Sequence, residues 1–163
     1  LQAKPVKSRK TGRPEALASR RSASRSLRIQ ASSASAPGFP PDSPIVYQFQ
    51  VSREEIRSLA EELPERLCFT GHTHFPEIIT CAAGEVQRQD FPPGVQALDP
   101  EAFHIVNVGS VGQPRDGSNT AKYAVCDTAA GTVEMRHVPY DVESAVAKIL
   151  EAGLPPAHAL RLR

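Results

Sequence analysis

Two histidines separated by one residue are the strongest chemical signal in this 163-residue sequence. His72 and His74 follow a short apolar run, residues 66–70, which predicts a buried strand. In an extended segment this spacing places both imidazoles on one side. Imidazole binds zinc, iron, manganese and related ions. The pair therefore predicts part of a metal site, although ordinary core or surface histidines would fit an isolated His-x-His pattern as well.

The other two residues of this loop have expected supporting roles. Gly71 lacks a side chain, so it is expected to adopt backbone angles that other residues resist at the turn. Thr73 lies between the histidines and is expected to point away from them and brace the loop.

A second candidate loop, residues 107–115, follows another predicted strand. Its glycines allow close backbone approach, and its amides together with Ser110 and Arg115 could hold an anion. The loop has neither the lysine of a P-loop nor the spacing of a dinucleotide fingerprint. The alternative interpretation is a tight turn that shapes the core.

Helix and strand signals surround both loops. Ser52 and Glu55 form a capping-box pattern at the start of an amphipathic helix that Pro64 ends. Asp141 is expected to cap a final helix, closed by Gly153 and the prolines after it. Residues 90–101 are predicted to be a loop. The predicted strands are 66–70, 78–81, 85–88, 103–108, 122–127 and 132–138, and their short turns favour mostly antiparallel pairing.

Charge and composition divide the chain into two parts. Residues 1–44 are rich in Ser, Arg and Pro and have little apolar periodicity, which predicts a disordered basic tail. Residues 45–163 form the predicted domain. Residues 41–163 contain ten Lys or Arg and seventeen Asp or Glu, so a nucleic-acid partner is not expected. No apolar run approaches the roughly 20 residues of a membrane span.

The cysteines and the first residues bear on the compartment. Three cysteines without a C-x-x-C pair favour a reducing compartment, so a cytoplasmic location is predicted. The Arg- and Ser-rich, acid-poor start leaves an organelle transit peptide as a minor alternative. Since the first residue is Leu1, the chain is expected to be a fragment or to have a misassigned start.

These motifs together resemble the C-terminal part of calcineurin-like metallophosphoesterases, in a small bacterial-type branch with phosphodiesterase-like and protein-phosphatase-like members. G-H-T-H at 71–74 is similar to the last metal motif of that family. N-x-G-S-V-G-Q-P-R at 107–115 and the ending V-P-Y-D-V-E-S-A-V-A-K-I-L-E-A-G-L-P are similar to that branch. The resemblance covers about residues 45–160.

The resemblance implies an α+β fold, namely the C-terminal half of a four-layer αββα sandwich, and a site with two divalent ions. Manganese, iron, nickel and zinc are the ions it implies, with His72 and His74 each reaching one of them. Asn107, Ser110 and Arg115 would lie near the substrate. The implied reaction is two-metal hydrolysis of a phosphomonoester or phosphodiester.

The sequence departs from that family in one important respect. The motifs D-x-H, G-D-x-x-D and G-N-H are absent from all 163 residues, and His104, His137 and His158 are expected to be core or surface residues. No catalytic residue is therefore assigned, and the chain by itself is expected to be inactive. The alternative is a non-catalytic remnant that acts as a binding or structural module. Its exposed apolar surface would then bind a missing N-terminal half or a second copy.

Overall fold

Residues 29–31 and 48–163 are the part of the chain that the computed structural model describes. A 3-10 turn, Gln48–Gln50, precedes the first α-helix. The α-helices are α1 (Arg53–Glu62), α2 (Val142–Glu151) and α3 (Pro156–Leu160). The strands are β1 (Ile29–Ala31), β2 (Leu67–Thr70), β3 (Pro76–Ala82), β4 (Glu85–Asp90), β5 (Gly94–Ala97), β6 (Phe103–Val108), β7 (Ala121–Asp127) and β8 (Thr132–Val138).

Helix α1 starts with the predicted capping box. The Ser52 hydroxyl accepts a hydrogen bond from the Glu55 amide at 3.2 Å, and the Glu55 carboxylate accepts one from the Ser52 amide at 2.8 Å. Both bonds satisfy amides that have no partner inside the helix. Ile56 is fully buried on the inner face of α1, so the helix is fixed by its cap and by core packing.

A five-stranded sheet has the order β1-β2-β6-β3-β4. Strands β1, β2 and β6 run parallel to one another, whereas β3 is antiparallel to both β6 and β4. Because β2 and β6 are parallel, their carboxyl ends meet at one edge of the sheet. The register pairs Thr70 with Asn107, which brings the two candidate loops of the sequence together.

A second sheet of three antiparallel strands has the order β5-β8-β7. Val133 and Met135 of β8 are buried against the first sheet, in a cluster with Leu67 and Val106. On the other face of the five-stranded sheet, Ile56 of α1 packs in a second cluster. The arrangement is therefore helix, sheet, sheet, and α2 and α3 form a third apolar cluster with each other.

The α+β class, with mixed and antiparallel sheets and few helices, confirms the predicted fold class. Two local predictions were wrong. Strand β5 lies in the predicted loop 90–101, and helix α3 lies beyond Gly153, after the helix predicted to be the final one. In both cases tertiary partners outweigh weak local propensity, because β5 pairs with β8 and α3 packs on α2. Within residues 1–44 the structure describes Ile29–Ala31, which form strand β1 beside β2. The rest of residues 1–44 lies outside the described residues.

Within the described residues, no helix is long and apolar enough to cross a bilayer.

Candidate functional site

The loop Gly71-His72-Thr73-His74 joins the end of β2 to the start of β3. It lies at the edge of the sheet where β2 and β6 both end. Both histidine side chains are partly exposed, whereas Thr73 is buried. The histidines therefore reach solvent at the rim of a sheet whose centre is fully packed.

The backbone of this loop differs from the expected extended form. His72 has a φ of 69° and His74 a φ of 63°, both in the left-handed region. The segment is therefore not an extended strand, and the alternation of side chains along a strand cannot be used to predict that both rings lie on one side. Gly71 is not among the residues with positive φ. The Thr73 amide donates to the Gly71 carbonyl at 2.8 Å, a two-residue bond that together with the φ of His72 matches a classic γ-turn, which is rare and strained.

Asn107 holds the two loops together. Its side-chain amide donates to the Gly71 carbonyl at 2.8 Å and to the Thr73 hydroxyl at 2.9 Å. Its side-chain oxygen accepts a bond from the Gly109 amide at 3.0 Å. Asn107 is fully buried, so these bonds replace the water that its amide would otherwise bind. The predicted bracing role of Thr73 agrees with this contact, and the substrate-binding role of Asn107 stays a prediction.

Gln48 completes this buried network. Its side-chain oxygen accepts bonds from Thr70 at 2.9 Å and Asn107 at 3.2 Å, and its side-chain nitrogen donates to Glu77 at 2.7 Å. Gln48 is 3% exposed. Sequence reasoning missed it, because a single glutamine in a short irregular segment carries no local signal of burial.

His74 is oriented by the second loop. The distance between His74 Nδ1 and the Gln113 carbonyl oxygen is 2.7 Å. A carbonyl only accepts hydrogen bonds, so Nδ1 carries a proton, and in the neutral ring Nε2 keeps its lone pair. Metal-binding histidines are commonly held in this way, with the second ring nitrogen bonded to a backbone carbonyl. His74 is thus presented in the tautomer that can bind a metal through Nε2.

The second loop is shaped by tight packing and by a turn at Ser110. A Cβ at Gly109 would lie 3.0 Å from both Lys122 Cδ and Pro76 Cγ. The φ of Gly109 is also +74°, so no other residue fits this position easily. The Ser110 hydroxyl accepts bonds from the Gly112 amide at 3.3 Å and the Gln113 amide at 2.9 Å. Its proton remains available as a donor, and its predicted contact with substrate stays a prediction.

An ion pair between the buried Lys122 of β7 and the partly buried Asp116 supports this loop. Lys122 Nζ lies 3.0 Å from an Asp116 carboxylate oxygen, and the Lys122 side chain is fully buried. The ammonium also donates to the Ser118 hydroxyl at 2.6 Å. Burial alone raises the pKa of Asp116, but the bonds from Lys122 and Ser118 outweigh it and leave that pKa below its ordinary value. No sequence motif pointed to Lys122, because its burial depends on the packing of β7 beneath the loop.

Arg115 lies between two cavities, and its side chain is exposed. One cavity, of about 400 Å³, is lined by Gln113, Pro114, Arg115 and Arg161. The other, also of about 400 Å³, is lined by Gln48, Phe49, Thr73, Phe75, Pro76, Glu77, Asp90 and Arg115. Arg115, a predicted substrate-binding residue, thus lines both cavities. Arg161, at the end of α3, lines the first of them together with Arg115.

The donor set fits only part of a metal site. The His74 ring is bonded through Nδ1 to the Gln113 carbonyl, and His72 lies two residues away on the same loop. Residues 29–31 and 48–163 contain no group of three or more His, Cys, Asp or Glu that could hold an ion. A catalytic zinc site normally uses three protein ligands. The roles of the two histidines as ligands stay predictions, and the described residues provide no third ligand.

The remaining histidines lie elsewhere. His104 is 2% exposed in β6, where Nδ1 lies 3.1 Å from the Thr80 hydroxyl and Nε2 lies 3.0 Å from the Asp99 carbonyl. His137 lies in β8, and its buried Nε2 has no hydrogen-bond partner among the described residues. His158 lies in α3. Of the three, His104 is a bonded core residue.

Comparison with known proteins supports a metallophosphoesterase-like fold. No family model matches the chain. An uncharacterized protein of Methanocaldococcus jannaschii is 37% identical over 89 residues, which are 55% of this chain and 35% of that protein. The crystal structure of a metallophosphoesterase from Sphaerobacter thermophilus is similar with a TM-score of 0.55 and 38% identity, covering 61% of this chain and 42% of that one. The matched part of the chain thus spans 35% and 42% of the length of these two proteins.

Proposed function

We propose that this chain forms part of a metal-dependent phosphoesterase that hydrolyses phosphomonoesters or phosphodiesters. The observation that carries the proposal is the His74 ring, whose Nδ1 bond to the Gln113 carbonyl leaves Nε2 ready to bind a metal. The likeness to the Sphaerobacter thermophilus metallophosphoesterase supports it. His72 and His74 are the proposed ligands, and the ions are manganese, iron, nickel or zinc.

Residues of the two loops would have separate roles in holding the site and binding the substrate. Asn107 fixes the spacing of the two loops, and the Gln113 carbonyl fixes the His74 tautomer. Arg115, at the junction of two cavities, would attract and orient a phosphate group. Ser110 would donate its remaining proton to a phosphate oxygen. A bound divalent ion supplies an activated water and neutralises charge on the phosphate.

By itself the chain is proposed to be inactive. The described residues supply two imidazoles rather than three or more ligands, and the 163 residues contain none of the D-x-H, G-D-x-x-D or G-N-H motifs. Further ligands would have to come from outside residues 29–31 and 48–163. The alternative, a non-catalytic binding or structural module, is favoured by the same incomplete donor set.

Partners and location follow from the same reasoning. Val95, Tyr123, Val125 and Val138 of the three-stranded sheet are large apolar residues with 41–61% exposure. A missing N-terminal half or a second copy of the chain is the proposed partner of this face. Three free cysteines agree with the predicted cytoplasmic location, which stays a prediction.

Metal binding by histidine variants tests the proposal. Manganese titrated into the purified chain by calorimetry should bind weakly, and His72→Gln and His74→Gln should each weaken binding by about tenfold or more. His158→Gln, a histidine in α3, is the matched control and should bind as the wild type. Equal binding by all variants would contradict the metal assignment.

Hydrolysis of a nitrophenyl phosphodiester tests the second part. The manganese-loaded chain should show no turnover, and a chain that binds two equivalents and hydrolyses the ester would disprove the proposed inactivity. The coding sequence upstream of Leu1 distinguishes the enzyme hypothesis from the binding-module hypothesis. D-x-H and G-N-H motifs in the same reading frame would support the enzyme. Their absence would favour the binding module.

A further inference from the structure

A cavity beside the second loop is lined by two positive side chains and no negative one. Its four lining residues are Gln113, Pro114, Arg115 and Arg161, around a volume of about 400 Å³. Arg115 comes from the loop after β6, whereas Arg161 is the residue at which α3 ends. Two parts of the chain separated by 45 residues thus bring guanidinium groups to the same space.

Neither guanidinium is neutralised within the described part of the chain. Arg115 and Arg161 form no ion pair there, whereas Arg163 pairs with Glu143 and Arg88 with Glu77. The acid next to Arg115 is Asp116, which is already bound to buried Lys122 at 3.0 Å. Like charges at one cavity repel each other, and an anion between them would relieve that repulsion.

The two arginines differ in sign from the net charge of the residues around them. Residues 48–163 contain ten Lys or Arg and sixteen Asp or Glu, a net charge of −6. A body of this sign repels anions at long range. Two arginines without an ion pair among residues 29–31 and 48–163 therefore form a local exception at this cavity. Arginine is the side chain best suited to bind two phosphate oxygens at once.

The cavity is connected to the candidate metal loop through one residue. Gln113 lines the cavity, and its carbonyl accepts the His74 Nδ1 proton at 2.7 Å. Arg115 also lines the neighbouring cavity, which Thr73 borders between the two histidines. A ligand held by both arginines would thus lie next to the candidate metal site.

We infer that the cavity between Arg115 and Arg161 is a binding site for a second phosphate group of the substrate. Substrates would then carry at least two phosphates, one at the metal site and one between the arginines. The role of this site in catalysis rests on the proposed function, but phosphate binding to the arginines does not require metal.

Calorimetry on the full chain in metal-free buffer at low salt tests the inference. Inorganic pyrophosphate is the probe, because its two phosphates can contact both guanidinium groups, and it should bind more tightly than inorganic phosphate. Arg115→Gln and Arg161→Gln should each weaken pyrophosphate binding by about tenfold. Arg161→Lys keeps the charge but loses the planar fork, so its affinity should lie between those of the wild type and Arg161→Gln.

The control is Arg53→Gln, which removes an exposed arginine at the start of α1 that lines neither cavity. It should bind pyrophosphate as the wild type does, and circular dichroism should show that every variant is folded. Equal weakening by Arg53→Gln would reveal non-specific charge attraction and overturn the inference. So would a wild-type chain that does not bind pyrophosphate at millimolar concentration.

Because pyrophosphate binding is measured without metal, a failure of this inference can be distinguished from a failure of the proposed function. If both arginine variants lose pyrophosphate while the histidine variants keep their manganese, the phosphate site stands and the metal assignment fails. If the histidine variants lose manganese while the arginine variants keep pyrophosphate, the proposed function stands and the second phosphate site is wrong.

Discussion

At the scale of single residues, the two histidines are held in a backbone form that costs free energy. A non-glycine residue with positive φ is uncommon, and such a conformation costs about 1–3 kcal/mol. His72 and His74 both adopt it, with φ of 69° and 63°. The bonds from Asn107 to Gly71 and Thr73 hold the loop in place. Strain of this kind commonly occurs at functional sites, where the ring position matters more than local stability.

Glycine and alanine substitutions at His74 measure this strain. Both remove the imidazole, but only alanine has a Cβ that resists positive φ, so His74→Gly should be more stable than His74→Ala by about 1 kcal/mol. Urea denaturation compares the two. At Ser58, exposed inside α1, the order should reverse by about 1 kcal/mol, because glycine is the weaker helix former. An alanine variant at His74 as stable as the glycine variant would argue against strain.

At the scale of elements, the loop after β6 depends on the strand beneath it. The Lys122 amide of β7 donates to the Ser110 carbonyl at 3.1 Å, and the Lys122 ammonium binds Asp116 at 3.0 Å. The same loop carries Gln113, which orients His74, and Arg115, which borders both cavities. Strand β7 therefore supports the loop that carries Gln113 and Arg115 through the ion pair of buried Lys122 with Asp116.

A double-mutant cycle on this pair tests its structural role. Lys122→Met should lower the free energy of unfolding by about 3 kcal/mol, because it leaves Asp116 without its buried partner. The double variant Lys122→Met with Asp116→Asn should cost less than the two single changes together. Lys148→Met, at an exposed site in α2, should change stability by about 0.5 kcal/mol or less. Additive effects of the two changes would show that the pair does not act as a unit.

At the scale of the whole molecule, the buried His104 and the partly buried His137 are expected to make the fold sensitive to acid. Burial lowers the pKa of His104, although its bond to the Asp99 carbonyl acts in the opposite direction. Burial and then the charge of Lys122 lower the pKa of His137, and Asp116 partly offsets them. In both cases the folded state binds a proton less readily than the unfolded state does.

Stability should therefore fall as the pH is lowered from 8 to 5. Below about pH 6.5 these two histidines bind protons in the unfolded chain, whereas in the folded chain they stay neutral to a lower pH. The free energy of unfolding therefore decreases with acidification. Urea midpoints at pH 8, 7, 6 and 5 measure the slope. His104→Asn should flatten it, because the buried group no longer titrates. A midpoint that is constant over this range would contradict the expected role of the histidines.

The sequence alone determined the features that depend on neighbours along the chain. The capping box at Ser52, the strands before both loops and the fold class follow from local patterns and from the family resemblance, and the structure has them. The pattern also singled out His72 and His74 as candidate ligands. Their roles stay predictions, since the described residues provide no third ligand.

The tertiary structure alone decided which distant residues meet. The parallel pairing of β2 with β6 brings Asn107 to Gly71, and no local pattern encodes that register. Burial of Gln48 and Lys122, and the approach of Arg161 to Arg115, likewise depend on contacts far apart in sequence. Periodicity reports which face of an element is apolar, whereas the partner of that face is selected by the packing of the whole chain.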